Sequence, residues 1–151
     1  RSVSTGTDHN CAVRESGELV CWGGYLSGRE EAPPAGRFRY VGTGWAHVCA
    51  VRESGDLVCW GWEEVVPAAI VDAPAGRFRS VSAATSHSCA VRESGEIVCW
   101  GYNYYGNTDA PAGIFRSVSV GYSHSCAVRE SGEIACWGAA APWTQVPADL
   151  R

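Results

Sequence analysis

Lysine and methionine are absent from this sequence of 151 residues, so its twelve cationic side chains are all arginines. The arginines are spread among sixteen acidic residues, which leaves a net charge of −4 and no basic stripe. Proteins that bind the phosphate backbone of nucleic acids concentrate positive charge on one surface. The charge distribution therefore predicts that nucleic acid is not a partner.

Long apolar runs are missing as well. No stretch approaches the roughly 18 consecutive apolar residues that a membrane-spanning helix needs, so the sequence also predicts no membrane partner. Helix signals are weak throughout, while 46% of the residues are hydrophobic. A chain of this length and composition can bury a sizeable core, and we expect one all-β domain over residues 1–151.

A repeated motif dominates the sequence. The stretch CAVRESGELVCWG, residues 11–23, recurs from residues 49, 89 and 126 with conservative changes. Counted from the first cysteine, the copies are 38, 40 and 37 residues apart, and a period in this range indicates a repeat architecture. We divide the chain into four repeats, about 1–38, 39–78, 79–115 and 116–151.

Each motif predicts a β-hairpin. Glu15-Ser16-Gly17 suits a three-residue loop whose last position is left-handed, a conformation that glycine adopts without a steric clash. This turn places Cys11 directly opposite Cys21, close enough for a disulfide. The sequence thus predicts four local bridges: Cys11–Cys21, Cys49–Cys59, Cys89–Cys99 and Cys126–Cys136. Four matched pairs favour an oxidising compartment and a secreted, extracellular protein.

Both faces of the hairpin are apolar. With a period of two, Cys11 and Val13 lie on one face, while Ala12, Val20 and Trp22 lie on the other. An antiparallel unit with one solvated face would alternate polar with apolar residues. We therefore expect both faces to be covered by neighbouring repeats.

The order of segments is the same in every repeat. It reads as a short strand A, a link that ends in a histidine, strand B, the Glu-Ser-Gly turn, strand C and a variable loop. Short antiparallel units with two buried faces predict β-propeller blades arranged around an axis. A solenoid is the alternative, and the hairpin turn inside every repeat disfavours its continuous parallel stack.

The third repeat carries a recognisable set of residues at fixed spacing: His87, Ala90-Val91, Gly95, Trp100-Gly101, Asn103 and Gly106. This pattern resembles the regulator-of-chromosome-condensation repeat, and the resemblance extends over all four repeats. The short period and the Pro-Ala segments look most like the secreted bacterial β-lactamase inhibitors built from this repeat. The resemblance implies a β-propeller that binds proteins through one loop face.

Two features depart from the family pattern. The cysteine pairs are not part of it, and only the third repeat keeps Asn-x-x-Gly after Trp-Gly. Propellers of this family have about seven blades, within the usual range for propellers. Four repeats therefore imply either half of an eight-bladed ring, formed by two chains, or an arc of a larger propeller.

The ends of the repeat array show no polar cap, which an open stack of repeats normally needs for solubility. Ring closure, oligomerisation or a longer parent array would each resolve this. A homo-oligomer, with a dimer favoured, is accordingly one predicted state.

The connections between strands sort into two ends of the blades. Because strand B runs towards the Glu-Ser-Gly turn and strand C returns, the A-to-B links and the loops after Trp-Gly emerge together. We call this the loop end, and the opposite side the turn end. Variation between repeats concentrates at the loop end, as in the links at Asp8, Ser86 and Ser123.

Aromatic residues are frequent at the loop end. Tyrosine and tryptophan offer large contact areas at low entropic cost and dominate interface hot spots. We therefore predict a binding face for a protein partner that contains Tyr25, Trp45, Trp62, Tyr102, Tyr104, Tyr105, Tyr122 and Trp143. The alternative is that some of these rings fill a central channel or pad the loops. A second set of tryptophans occupies one fixed repeat position and is predicted to be blade core: Trp22, Trp60, Trp100 and Trp137.

Four histidines each precede a cysteine by two residues: His9, His47, His87 and His124. With the opposing cysteine they could supply three zinc ligands, or act as a catalytic pair. Four equivalent copies without a C-x-x-C knuckle favour disulfides instead, and an active site is normally single. We expect no metal, no cofactor and no enzyme activity.

Protein binding through the loop end is therefore the predicted function. Two alternatives stay open: a structural subunit that self-assembles through open blade edges, and a propeller that binds carbohydrate on its aromatic loops.

Overall fold

The computed structural model describes residues 1–23, 33–61, 67–140, 142 and 144–151. In this part of the chain, twelve strands form four antiparallel three-stranded sheets, which we call blades 1 to 4. Blade 1 contains β1 (Ser2–Thr5), β2 (His9–Val13) and β3 (Leu19–Gly23). Blade 2 contains β4 (Phe38–Thr43), β5 (His47–Arg52) and β6 (Leu57–Gly61). Blade 3 contains β7 (Phe78–Ala83), β8 (His87–Arg92) and β9 (Ile97–Gly101). Blade 4 contains β10 (Phe115–Val120), β11 (His124–Arg129) and β12 (Ile134–Gly138).

Helical structure is sparse. A helix α1 spans Ala68–Val71, and a 3₁₀ turn spans Ala148–Leu150. Across the described ranges, no helix has the length and apolar character to cross a membrane. The predicted all-β class is confirmed.

The hairpin register follows the turn, as predicted. In blade 1, Cys11 lies opposite Cys21 and Val13 opposite Leu19. Gly17 has a φ of 83°, and its N–H donates to the carbonyl of Arg14 at 2.9 Å. The other three blades repeat this pairing, so the four turns are equivalent.

All four predicted disulfides are present, with Cα atoms 4.0–4.1 Å apart. No cysteine is free, so no thiolate is left for zinc or for nucleophilic chemistry. Cys11, Cys49 and Cys89 are completely buried between blades, whereas Cys126 is partly exposed on the last blade.

The blades pack face to face along the chain. We call the face that carries Cys11 the trailing face, and the face that carries Trp22 the leading face. At the first junction, Cys11 and Val13 on the trailing face of blade 1 pack with Val41 and Ala50 on the leading face of blade 2. Equivalent clusters fill the second and third junctions, so the hydrophobic core lies between the blades.

A buried phenylalanine anchors each later blade to the turn of the preceding one. The backbone N–H of Phe38 donates to the carbonyl of Gly17 at 2.8 Å, and Phe78 and Phe115 repeat this bond at the next two turns. The guanidinium of Arg52 stacks over the Phe38 ring at 5.0 Å from its centroid. Each junction thus combines an apolar contact with a backbone hydrogen bond and a cation–π contact.

We expected neighbouring repeats to cover both faces of each blade and to bury Trp22, and this expectation is wrong for blade 1. No strand that the structure describes packs against the leading face of this blade, and Trp22 is 49% exposed. Trp137, at the same repeat position, is only 8% exposed because its indole N–H donates to the carbonyl of Asn107 in the loop of the preceding blade. Trp100 makes the corresponding bond to Ile70. Burial of this tryptophan therefore depends on a preceding blade.

The A strands, β1, β4, β7 and β10, line a common groove of about 450 Å³. Serine side chains connect these strands across the junctions. The hydroxyl of Ser4 accepts a hydrogen bond from the backbone N–H of Thr43 at 3.0 Å, and Ser82 does the same for Val120 at 3.1 Å. These bonds satisfy N–H groups on the inner sheet edges.

Candidate binding face

The links and loops meet at the loop end, as the chain direction predicts. Each link is a tight turn, such as the one in which the N–H of Gly44 donates to the carbonyl of His47 at 2.8 Å. The loop after strand C starts beside the link of its own blade. Tyr102 donates its N–H to the carbonyl of Ser86 at 2.8 Å, and Ala139 donates to Ser123 at 2.9 Å.

Four predicted aromatic residues are exposed at this end: Trp45, Tyr104, Tyr105 and Tyr122. Tyr104 and Tyr122 are the most exposed of them, at 75% and 74%. Tyr102 is half-buried and stacks against Tyr104, with ring centroids 5.2 Å apart. Tyr25, Trp62 and Trp143 lie outside the described residues.

The aromatic residues belong to different blades. Tyr102, Tyr104 and Tyr105 lie on the loop that follows blade 3, Tyr122 on the link of blade 4, and Trp45 on the link of blade 2. Within this set, the rings of Tyr102 and Tyr104 are in direct contact, because they stack on each other. The loop after blade 3 is therefore the best-defined part of the candidate face.

This loop is held by its own asparagines. Asn103 accepts a hydrogen bond from the N–H of Thr108 at 3.0 Å and donates to the carboxylate of Asp109 at 2.9 Å. Gly106 has a φ of 75°, and its carbonyl accepts the N–H of Asp109 at 3.1 Å. Asn103 and Gly106, the two residues that match the family pattern, therefore shape the loop.

Asn107 fastens the loop to the blades. Its side-chain oxygen accepts the N–H of Tyr105 at 3.0 Å, and its amide nitrogen lies 3.4 Å from Nδ1 of His87. Its backbone carbonyl accepts the indole N–H of Trp137 at 2.9 Å, and the residue is 1% exposed. Sequence analysis missed Asn107, because nothing in a single asparagine of a variable loop indicates burial between two blades.

The buried histidines are structural. Nε2 of His47 lies 2.9 Å from the hydroxyl of Ser88 in the next blade, and His87 makes the same contact with Ser125. Burial lowers the pKa of both His47 and His87 to about 4, so both are neutral at pH 7. Because Asn107 donates to Nδ1 of His87, the proton of this imidazole is on Nε2, which donates to Ser125.

The sequence offered zinc binding and a catalytic His–Cys pair as alternatives for these histidines, and both need a free thiolate. Their neighbouring cysteines are all oxidised. Within residues 1–23, 33–61, 67–140, 142 and 144–151, no group of three His, Cys, Asp or Glu side chains could hold a metal ion.

Charge is distributed unevenly between the two ends. Within the described ranges, the exposed charges on the links and loops of the loop end are the carboxylates Asp8, Asp72 and Asp109. Arginines begin the A strands and end the B strands, at the turn end, where Arg77 pairs with Glu93 at 2.9 Å. The hydrogen bond to Glu93 raises the pKa of Arg77. The described loop end is thus aromatic and acidic, while cationic groups lie at the other end.

Comparison with known proteins identifies the repeats. Residues 1–24, 38–64, 78–107 and 115–139 match the family model of the regulator of chromosome condensation (RCC1) repeat. Each matched segment contains the three strands of one blade. No match was found among the curated protein sequences.

Several solved structures share the fold. The CRINKLY WD40 ectodomain of the Arabidopsis thaliana receptor kinase ACR4 is 25% identical, with a TM-score of 0.76 over 99% of this chain and 52% of that chain. The entire ectodomain of the Physcomitrella patens receptor kinase CR4 is 27% identical, with a TM-score of 0.78 over 96% of this chain and 42% of that chain. Prp20p from Saccharomyces cerevisiae is 21% identical, with a TM-score of 0.71, covering 90% of this chain and 44% of that chain.

The chain therefore spans about half the length of these solved structures. Its four blades follow the architecture of RCC1 and WD40 propellers without closing a ring. Because the family match covers all four blades, the protein belongs to the regulator of chromosome condensation (RCC1) repeat family.

Proposed function

We propose that this protein is a binding module for another protein and that the loop end of its blades is the contact surface. The observation that carries the proposal is the pair of exposed rings of Tyr104 and Tyr105 on a loop that Asn103 and Asn107 hold in place. RCC1-type repeats are protein-interaction modules, and the structures with this fold include yeast RCC1 (Prp20) bound to Kap60. The solved structure of Prp20p is accompanied by a description of its binding to Gsp1p and histones.

The pre-ordered loop favours binding energetically. A flexible loop would lose conformational entropy on association, whereas one already fixed by hydrogen bonds loses little. Exposed tyrosines on such a loop supply apolar area together with a hydroxyl that can bond the partner. The carboxylate of Asp109 on the same loop, and the exposed carboxylates of Asp8 and Asp72 on other connections, favour a partner surface that is neutral or basic.

We further propose that the protein acts outside the cell. Four disulfides are compatible with an extracellular environment. The finer resemblance to the secreted bacterial β-lactamase inhibitors stays a prediction, and it makes β-lactamases one class of candidate partner to test. We propose no enzyme activity and no cofactor for this chain.

Two other functions remain candidates. The exposed Tyr104 and Tyr122 rings could stack on sugars, which a glycan array would test. Self-assembly is favoured by a different observation, the exposed apolar side chains of Val3 and Trp22 on the first blade. A structural subunit would use those surfaces and leave the loop end free.

The test compares the loop end with the groove. Proteins captured by the immobilised chain are identified, and the affinity of each purified partner is measured for the Tyr104→Ala/Tyr105→Ala variant. Tyr40→Ser is the matched control, because Tyr40 lines the groove and serine stands at this repeat position in blade 3 as Ser80.

The expected result is a loss of affinity of at least about tenfold in the double variant, since hot-spot residues contribute more than 1 kcal/mol each. Tyr40→Ser should bind as the native chain does. Unchanged affinity in the double variant would reject the loop end. A loss of affinity confined to Tyr40→Ser would indicate that the partner binds in the groove.

A further inference from the structure

Among the described strands, two blade faces have no blade packed against them: the leading face of blade 1 and the trailing face of blade 4. On the leading face, Val3 is 68% exposed, whereas Val41 at the same position in blade 2 is 1% exposed. On the trailing face, Val128 and Ile134 line the groove, and Cys126 is partly exposed. We call the first surface the head and the second the tail.

The head repeats a surface that is buried elsewhere in the molecule. On the same face, Asn10 stands where blade 2 has the buried Val48. Five further residues of the head are Val3, Thr5, Ala12, Val20 and Trp22, and register places them at the positions of Val41, Thr43, Ala50, Val58 and Trp60 in blade 2. All five residue types are identical. In blade 2 this surface packs against the trailing face of blade 1.

The tail repeats the other half of such a junction. It consists of Ser119, Cys126, Val128, Ile134 and Cys136, at the positions of Ser82, Cys89, Val91, Ile97 and Cys99 in blade 3. These five residue types are also identical. Compared with the trailing face of blade 1, the tail differs only in having Ile134 where blade 1 has Leu19.

The polar contacts of a junction are reproduced as well. At the first junction, the hydroxyl of Ser4 accepts hydrogen bonds from the backbone N–H of Thr43 at 3.0 Å and from its hydroxyl at 2.9 Å. The tail carries the same acceptor in Ser119, and the head carries the same donors in Thr5. A tail placed on a head would therefore have the serine and threonine contacts of the first junction and most of its apolar groups, with Asn10 in place of Val48.

We propose that the tail of one chain docks onto the head of a second copy, and that two such contacts close a ring of eight blades. The occupant is a second copy because head and tail carry the residue types of the established first junction, apart from Asn10 in place of Val48 and Ile134 in place of Leu19. A head-to-tail contact made twice around a two-fold axis closes the assembly. The proposal is independent of partner binding at the loop end.

The new contact should be weaker than an internal junction. The first internal junction contains the buried Val48, and the head has the polar Asn10 at that position. The two docking chains are also not covalently connected, so association costs translational and rotational entropy. A dimer that dissociates on dilution is therefore expected.

The experiment measures molar mass by sedimentation velocity on the oxidised chain over a range of concentrations. A single chain has a mass of 16.1 kDa, so the ring should sediment with twice this mass and dissociate on dilution. Val3→Glu on the head and Ile134→Glu on the tail should each give monomers, because each places a carboxylate in an apolar contact. Ser119→Glu is a second tail variant that leaves the apolar residues intact.

Mixing the head variant with the tail variant and measuring dimer formation is the most direct test. A pair made of one Val3→Glu chain and one Ile134→Glu chain keeps one intact head-to-tail contact, so the mixture should recover dimer while each variant alone stays monomeric. Tyr104→Glu at the loop end is the control and should dimerise normally. Far-UV circular dichroism and the mass of the non-reduced chain verify that each variant is folded with four disulfides.

Three outcomes would overturn the proposal: a native chain that stays monomeric, a distribution of larger polymers instead of a dimer, or a dimer unaffected by both tail variants and by Val3→Glu. If the native chain is a monomer, the head and the tail are surfaces for further blades or for another protein, and not for a second copy. The affinity of the folded Val3→Glu chain for a partner protein is measured as well. If this chain stays monomeric but still binds the partner, dimerisation and partner binding use different surfaces.

Discussion

His87 of blade 3 donates the proton on its Nε2 to the hydroxyl of Ser125 in blade 4, across 2.9 Å of a fully buried junction. One blade earlier, Nε2 of His47 lies 2.9 Å from the hydroxyl of Ser88. Burial opposes the charged form of both imidazoles, and Nδ1 of His87 can accept from the amide of Asn107 only while it is unprotonated. The stability of the arc is thereby coupled to pH.

We predict that the free energy of unfolding falls as the pH decreases from about 6.5 to about 4. The pKa values of His47 and His87 are lowered by burial from 6.5 to about 4, so the unfolded chain binds more protons in this window. Each histidine should cost up to roughly 3 kcal/mol at the acid end. Urea unfolding of the oxidised chain at pH 7, 5.5 and 4.5 measures the effect.

A matched variant assigns the pH dependence. Replacing His87 by Asn should remove part of the change in stability between pH 7 and pH 4.5, because one of the three buried histidines whose pKa is lowered by burial, His9, His47 and His87, is gone. A stability that is the same at pH 7 and pH 4.5 would contradict the prediction.

Asn107→Ala should loosen the loop that carries Tyr104 and Tyr105. The substitution removes the acceptor of the Tyr105 N–H, which is partly buried, and the amide beside His87, which is buried. Leaving such groups unpaired typically costs about 1–3 kcal/mol. Chemical unfolding measures the loss, and hydrogen exchange at the Tyr105 amide reports the local loosening.

Asn103→Ala provides the comparison for this loop. Asn103 is exposed and water can replace its bonds, so its replacement should cost less than that of Asn107. Equal effects of the two substitutions would indicate that burial of Asn107 does not determine the stability of the loop.

The Cys126–Cys136 disulfide should be reduced before the other three. Cys126 is partly exposed on the open trailing face of blade 4, whereas Cys11, Cys49 and Cys89 are fully buried at junctions. Brief treatment with a water-soluble phosphine, alkylation and peptide mass mapping would show the order. Uniform labelling of all eight cysteines at partial reduction would argue against protection by neighbouring blades.

This order also bears on the proposed ring. If the tail is covered by a second copy, the Cys126–Cys136 disulfide should be protected at high protein concentration and become reactive on dilution. Cys49–Cys59 is the internal control, because it lies at a junction within the chain at any concentration.

Much of the local structure could be predicted because it depends on near neighbours in sequence. Gly17 ends its hairpin loop in the left-handed conformation and sets the register, and the register alone brings Cys11 opposite Cys21. The meeting of links and loops at one end follows from strand direction, as the bond from Tyr102 to Ser86 confirms. Exposure of Tyr104 was also predicted, while Asn107, which holds its loop, was not.

Sequence alone thus determined the hairpin, its disulfide and the repeat, because a three-residue turn and a separation of ten residues leave little conformational freedom. Tertiary structure decided which equivalent residues are buried. Trp22 and Trp137 have the same repeat position and the same local strand, yet one is open to solvent and the other is hydrogen-bonded beneath the preceding loop. Burial and pKa depend on which blade lies opposite, and that contact is set by packing between repeats rather than by residues near in sequence.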